Sequence, residues 1–326
     1  MDMPPSSNKP HYNFWIIKLG KALASKQYES ALFCAEEALD VAQTETERAE
    51  AMNFKGDCLI ALQRYEEALQ IYNNSLAQFQ NDCKREAEPF LKEHIAKAFL
   101  KKMGTLSKLE REAEIPSVYD EMVCRFGEDN TPFIRKYLAK ALFEKARYFG
   151  QLAEKENSLA AYALTLYDEL LQKFGNETDT EIKQEVARAM LGKGAALCIL
   201  KRVDDVIKAY DACIQKFSNE TDTEIKQYVA LAMKNKGDCL FILNRYDDAI
   251  KAYDACIEKF SNETDTEIKK YVALAMKNKG VALSNLDRCD DAIKACDACI
   301  EKFGNETDTE IQKIVKEARE KRDKLR

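Results

Sequence analysis

Along the C-terminal half of the chain, apolar positions recur at three- and four-residue spacing in stretches broken by short polar segments. In one stretch Ile225, Val229, Ala232, Met233, Leu240 and Leu243 form a single stripe. After Asn244-Arg245, a second stripe runs through Tyr246, Ala249, Ile250, Tyr253, Cys256, Ile257 and Phe260. That spacing matches the helical repeat and predicts two amphipathic helices joined by a tight turn at Asn244-Arg245. Asp247 and Asp248 fall in the first turn of the second helix, where the helix dipole favours negative charge. Gly237 and Ala249 are small enough to let the two helices approach closely.

The pair is repeated. Phe174, Phe217, Phe260 and Phe303 stand 43 residues apart, as do Gly194, Gly237 and Gly280. Two nearly identical blocks, 211–253 and 254–296, run consecutively. A fixed period of this size marks a stacked array of supersecondary units. Within it, residues 232–257 read A-M-x-N-K-G-x-x-L-x-x-L-x-R-Y-x-x-A-I-x-x-Y-x-x-x-I. This resembles the tetratricopeptide repeat: the small residue of the first helix, the aromatic before the second, its Ala and the following Tyr all fall in register. The resemblance implies an all-α fold, an α-solenoid built as a right-handed superhelix of helix-turn-helix units. The departure is length, since the usual unit has about 34 residues. The added residues fall in the FSNETDTEIK phrase and the start of helix A, which predicts a helix A about two turns longer than usual.

Earlier units are more diverged. Runs beginning at Gly20 and Gly56 fit the repeat well. A third, 103–122, carries Pro116 inside the expected helix B, which predicts a kink or a late start there. A fourth, 145–174, has about five extra residues before its Phe. The expected organisation is a disordered segment over 1–11, one solenoid of about seven helix pairs over 12–304, and a closing helix within 305–326. A polar last helix from Asp308 to about Arg326 suits the open apolar end of such an array.

The recurring phrase has three chemical readings. Its Asn-x-Thr sequons at Asn176, Asn219, Asn262 and Asn305 matter only on a secretory route. Its carboxylates Glu177, Asp179 and Glu181 lack the Gly and bidentate Glu of a calcium loop. The third reading is a helix cap: Thr178 with Glu181, Thr221 with Glu224, Thr264 with Glu267 and Thr307 with Glu310 each match a capping box.

Composition narrows the function classes. Lys plus Arg is 50 against 56 Asp plus Glu, a net charge of −6, so the electrostatic footprint of nucleic-acid binding is missing. Apolar residues at 46%, with 11 Gly and 6 Pro, fit a continuous helical core. No apolar run approaches the ~20 residues of a membrane span, and the start is polar, so a cytoplasmic protein is expected. The 11 cysteines lie mostly in apolar stripes, the usage of a reducing compartment. Cys289, Cys296 and Cys299 share one helix face, yet they stand where Tyr246, Tyr253 and Cys256 stand one unit earlier, which predicts core packing rather than a metal site. The two histidines, His11 and His94, belong to no recognisable catalytic arrangement. No enzyme activity, cofactor or metal is expected.

The resemblance places the A helices on the concave face, where ligands of the family bind. The inward positions include Arg188 and Leu191 in the fifth unit, Lys234, Asn235 and Asp238 in the sixth, and Lys277 and Asn278 in the seventh. Asn235 and Asn278 sit where family members use an Asn side chain, donor and acceptor at once, to hold a peptide backbone. Members that clamp acidic chaperone tails need further cations and amides. Here Lys234 and Asn278 match, but Asp238 stands where an Asn is required, and Glu317 takes a Lys slot, leaving only Lys321. That specialisation is not expected. The expected function is a scaffold or adaptor binding a protein or peptide in its groove, as a monomer or weak homo-oligomer, with no nucleic-acid or membrane partner. The alternatives are a structural or self-assembly spacer, and an accessory subunit of a larger enzyme complex such as a bacterial signalling or defence assembly.

Overall fold

The computed structural model describes residues 10–80 and 88–326. Among these are fifteen α-helices and no strand: α1 Tyr12–Ala24, α2 Tyr28–Val41, α3 Glu45–Ala61, α4 Tyr65–Gln78, α5 Pro89–Lys108, α6 Ile115–Phe126, α7 Pro132–Leu152 and α8 Ser158–Phe174, followed by α9 Thr180–Ile199, α10 Val203–Phe217, α11 Thr223–Ile242, α12 Tyr246–Phe260, α13 Thr266–Asn285, α14 Cys289–Phe303 and α15 Thr309–Leu325. The all-α solenoid architecture is the one expected. The N-terminal segment expected over 1–11 lies outside the described residues except for Pro10 and His11, which precede α1. The chain divides into two compact units, one ending at Tyr148 and the next beginning at Phe149. Within the first, α1 packs on α2, α2 on α3, α3 on α4 and α5, and α5 on α6. Within the second, each helix from α8 to α15 packs on the next, and the A helices α9, α11, α13 and α15 also pack in series.

In every pair but α7–α8 the turn is set by one residue. Asn244 takes a left-handed backbone, φ 58°, and Lys26, Gln63, Glu110, Lys201 and Asp287 do the same at the other turns. This lets the Asn244 N–H reach the Phe241 carbonyl and the Arg245 N–H reach the Leu240 carbonyl, both at 2.9 Å, closing the end of α11. Leu243 departs from the stripe assigned to it: it follows the last turn of α11 and is 36% exposed. The landmark phenylalanines do their work at the other end. Phe174, Phe217, Phe260 and Phe303 are the last residues of α8, α10, α12 and α14, and all four are buried. Gly237 lies against Tyr253, so that a Cβ at that position would run into the Tyr253 ring. Only a glycine permits this approach of α11 to α12.

The recurring phrase caps helices, though not with the residue the capping-box pattern predicts. Asp179, Asp222, Asp265 and Asp308 are the cap residues, each accepting a hydrogen bond from the third helical N–H, at Ile182, Ile225, Ile268 and Ile311 (3.0–3.1 Å). The threonines assigned this role at 178, 221, 264 and 307 stand one residue too early. The helices begin at the second Thr of each phrase, so the Glu three residues after the first Thr falls at the second helical position and cannot close a box. A complete box is formed instead by Thr44 and Glu47 at α3.

A second role of the phrase comes from the longer A helices. α9, α11 and α13 are 20 residues each against 13 for α1, a difference of seven, or two turns. Their second turns reach the next phrase. Lys183 pairs with Glu220 (2.7 Å), Lys226 with Glu263 (2.9 Å) and Lys269 with Glu306 (2.8 Å). Gln184 and Gln227 donate to the cap carboxylates Asp222 and Asp265, both at 3.1 Å. At the last repeat the ladder position is Gln312, whose amide turns back to the Gly304 and Glu306 carbonyls. Pro116 sits in the first turn of α6, preceded by a 3-10 turn at Glu112–Glu114, so the helix starts late, at Ile115. The first turn is where proline's missing N–H is harmless.

Candidate functional site

The inward residues of α11 and α13 converge on one carboxylate. Asp238, in the fifth turn of α11, pairs with Lys234 one turn earlier on the same helix (2.9 Å). Its Oδ1 accepts from the Tyr253 hydroxyl of α12 (2.7 Å) and from the Asn278 amide of α13 (2.9 Å). The Tyr253 hydroxyl is buried and held well above the usual phenol range, first by desolvation and then by Asp238. One unit back, the Tyr210 hydroxyl is likewise raised, with desolvation the leading cause. The Asn278 amide spends a donor on Asp238. The Tyr–Asp link is not confined to this unit, since Tyr72 donates to Asp57 (3.1 Å) in the first compact unit. Both aspartates lie in a Gly-Asp-Cys tripeptide, at 56–58 and 237–239.

Beside this cluster a cavity of about 170 Å³ is lined by Asp238, Phe241, Ile242, Tyr253, Asn278 and Val281. Its surface is almost wholly apolar. Ile242 stands at 73% exposure, far above what an aliphatic side chain at a helix end needs. Phe241 is steadied by an edge-on contact with Tyr246, ring centroids 5.2 Å apart.

Of the residues singled out in the sequence, Lys234, Asp238 and Asn278 come together around this cavity. Lys277 is drawn away to Glu317 of α15 (2.8 Å), whose carboxyl it holds below the usual range. Arg188 pairs with Glu185 one turn earlier on α9 (2.9 Å), and Leu191 is a partly exposed residue of the same helix. The predicted cations are therefore set against acids of the protein itself: Lys234 against Asp238, Lys277 against Glu317, Arg188 against Glu185. Asp238 and Glu317, the two residues that break the chaperone-tail clamp in sequence, are the ones that neutralise its lysines.

Cys296 and Cys299 are fully buried, as the repeat register predicts, and Cys299 donates to the Ala273 carbonyl (3.7 Å). Cys289 is different: it opens α14 and is exposed, so the core assignment is corrected there. It stands first in its helix, at the edge of the A–B turn, where no neighbour covers it. Among the described residues no three His, Cys, Asp or Glu side chains are placed to hold a metal ion. No helix among them is long and apolar enough to cross a membrane. His94 lies on α5 with its Nδ1 buried, and desolvation lowers its pKa.

Two features escaped the sequence reading. A wide depression of about 580 Å³ between α1 and α2 is bordered by Trp15, Lys18, Lys21 and Phe33. Around it Phe14, Ile17 and Phe33 are 43%, 61% and 54% exposed. Phe14, Trp15 and Ile17 precede Gly20, where the first run that fits the repeat begins. The second feature is an unequal pair of thiols on the neighbouring helices α9 and α11, Cys198 exposed and Cys239 buried. They occupy different slots of consecutive units, so comparison of repeat with repeat does not bring them together.

The tetratricopeptide-repeat family model matches residues 21–82 and 223–263. No curated protein matches the chain. Among solved structures, the apo form of RapI aligns with a TM-score of 0.62 at 11% identity, over 93% of this chain and 79% of that one. The apo form of the quorum sensor NprR from B. thuringiensis aligns with a TM-score of 0.51 at 11% identity, over 96% and 80%. A tetratricopeptide repeat protein from Parabacteroides merdae ATCC 43184 covers 94% of this chain and 98% of its own at 13% identity, with a TM-score of 0.48. At such identities the likeness speaks for the fold alone. The repeat motif, the paired helices and the family match agree that the chain carries tetratricopeptide repeats at residues 21–82 and 223–263.

Proposed function

We propose that the chain is a non-catalytic interaction module that holds a peptide or helix of a partner protein along α9, α11 and α13. The observation that carries the reading is the cavity at Asp238, Phe241, Ile242, Tyr253, Asn278 and Val281, a largely apolar space whose lining includes the Asp238 carboxylate and the Asn278 amide. A space of about 170 Å³ takes one aliphatic or aromatic side chain, and burying such a side chain stabilises a complex by about 1.5–3 kcal/mol. Asn235 and Asn278 then accept from the ligand backbone. Because Lys234 and Lys277 already face Asp238 and Glu317, the ligand is anchored by an apolar side chain rather than by acidic groups, and its affinity changes little with salt. α15 serves as the closing helix of the array.

The test uses peptides selected from a random-sequence library on the intact protein. Replacing Asn235 and Asn278 together by Ala leaves the far-ultraviolet helical signal unchanged and weakens binding at least about tenfold, the loss of two hydrogen bonds. Unchanged affinity contradicts the groove.

A second reading, association between copies of the chain, is favoured by the exposed Phe14, Ile17 and Phe33 of α1 and α2. Light scattering that rises with concentration, and is abolished by Ile17→Asp, supports it; a monomer at all concentrations removes it.

A further inference from the structure

The first helix of every pair after α1 carries a cation at one fixed position, and in all but α5 it pairs with an acid on the helix before it. Lys55 of α3 meets Glu36 of α2 (2.9 Å), and Lys145 of α7 meets Asp120 of α6 (2.7 Å). Lys193, Lys236 and Lys279 of α9, α11 and α13 meet Asp168, Asp211 and Asp254 of α8, α10 and α12, each at 2.6 Å. In the closing helix α15, Arg322 meets Asp297 of α14 (3.1 Å). At α5 the slot holds Lys102, and the preceding helix carries Asn73 where the acid is due.

In α3, α9, α11 and α13 this lysine stands eight residues before the left-handed turn residue, Gln63, Lys201, Asn244 or Asp287. Counted the same way from Lys26, the position in α1 is Lys18. Lys18 is exposed, and no described helix precedes α1 to offer it an acid. Its ammonium lies instead over the rings of Phe14 (4.6 Å) and Trp15 (5.2 Å). One turn before the cation, the other A helices carry a fully buried alanine, as at Ala51, Ala98, Ala189, Ala232 and Ala275; in α1 that slot is Phe14, 43% exposed. Three residues after it, Cys58, Thr105, Ala196, Cys239 and Ala282 are buried, whereas α1 has the exposed Lys21. Phe14, Lys18 and Lys21 share one helix face, at spacings of four and three. The ion pairs show that elsewhere this face is laid against the preceding helix. On α1 no described helix covers it.

We propose that this face docks an acidic amphipathic helix of a partner protein, seated as the second helix of a preceding unit would be. Lys18 and Lys21 border the depression of about 580 Å³ together with Trp15 and Phe33. A helix lying there covers the exposed aromatic surface with its apolar stripe. Two of its carboxylates, one turn apart, meet Lys18 and Lys21 as Asp211 meets Lys236. Two copies of the chain joined through α1 in an isologous contact would bring these same lysines together. The acids that serve the purpose within the chain are already paired with its own cations. The occupant is therefore assigned to another protein.

The test selects tryptophan-free, surface-randomised helical peptides on the intact protein, with counter-selection against Lys18→Glu/Lys21→Glu. Both positions are exposed, so the double variant keeps the helical signal and melting temperature of the parent. Trp15 is the single tryptophan of the chain, and its emission follows binding at the depression. The expected result is a set of helices with two carboxylates flanking an apolar stripe, which shift the Trp15 emission saturably. They bind the double variant at least about tenfold more weakly, and binding weakens as salt rises. Exchanging the two peptide carboxylates for lysines restores binding to the double variant. Asn235→Ala/Asn278→Ala leaves the affinity unchanged, which separates this face from the groove. A selection that yields no helix, helices that bind parent and double variant equally, or binding that leaves the Trp15 emission unmoved overturns the proposal. Light scattering by the parent that rises with concentration and falls in the double variant also overturns it, giving the face to a second copy.

Discussion

At Gly237 a single absent methyl group sets the separation of two helices. The Tyr253 ring occupies the space a side chain would need, and its hydroxyl continues to Asp238. Gly237→Ala is therefore expected to cost about 1–3 kcal/mol, the range for overpacking a close contact. Gly104 of α5 is the contrast, with nothing within 4 Å of a built Cβ; Gly104→Ala should stabilise by about 0.5–1 kcal/mol through helix propensity. Urea denaturation of both variants checks the pair of signs. The sequence marked Gly237 as a point of close approach, because the residue recurs every 43 positions. It did not mark the Tyr253 hydroxyl and the Asn278 amide as partners of Asp238. Nothing in a stripe of apolar spacing says that an aromatic ring ends in a bond to the neighbouring helix. For the same reason Lys234 and Lys277 read as ligand-facing cations, whereas each meets an acid one turn or one repeat away.

At the scale of the element, the recurring phrase was legible as a helix start and ambiguous in its chemistry. Thr221 and Asp222 are both good cap residues, and the Thr-x-x-Glu spacing favoured the threonine; the structure uses the aspartate, whose carboxylate also faces the helix dipole and receives Gln184. Asp222→Ala is expected to cost about 1 kcal/mol, and Thr221→Ala to stay within about 0.5 kcal/mol of the parent, as exposed substitutions do. Thermal melts of the two variants decide between them, and a reversed order contradicts the assignment. The Lys183–Glu220, Lys226–Glu263 and Lys269–Glu306 pairs are each roughly a quarter to a third exposed. Each contributes at most about 1 kcal/mol, and less as salt rises. They required both the extended helix and the loop to be placed in space, so a 43-residue period alone could not disclose them.

Over the whole molecule the periodicity carried most of the architecture, because each unit buries its stripe against the next and repeats the same solution. It said less about where that array is closed and what it holds. α15 buries Ile311, Ile314, Val315 and Ala318 against α13 and α14. Removing residues 305–326 is expected to uncover the apolar faces of α13 and α14, lowering the melting temperature and producing aggregates in size-exclusion chromatography. A truncated chain that elutes as the parent does and melts unchanged would show that α15 closes nothing. The groove beside Asp238 can be located directly. A photo-crosslinking amino acid is placed at Ile242 on the cavity rim, or at Lys251, which is exposed on α12, and each protein is irradiated with a library-selected peptide. Covalent capture from position 242 and none from 251 is the predicted result; equal capture at both, or capture only from 251, contradicts peptide binding along α11 and α13.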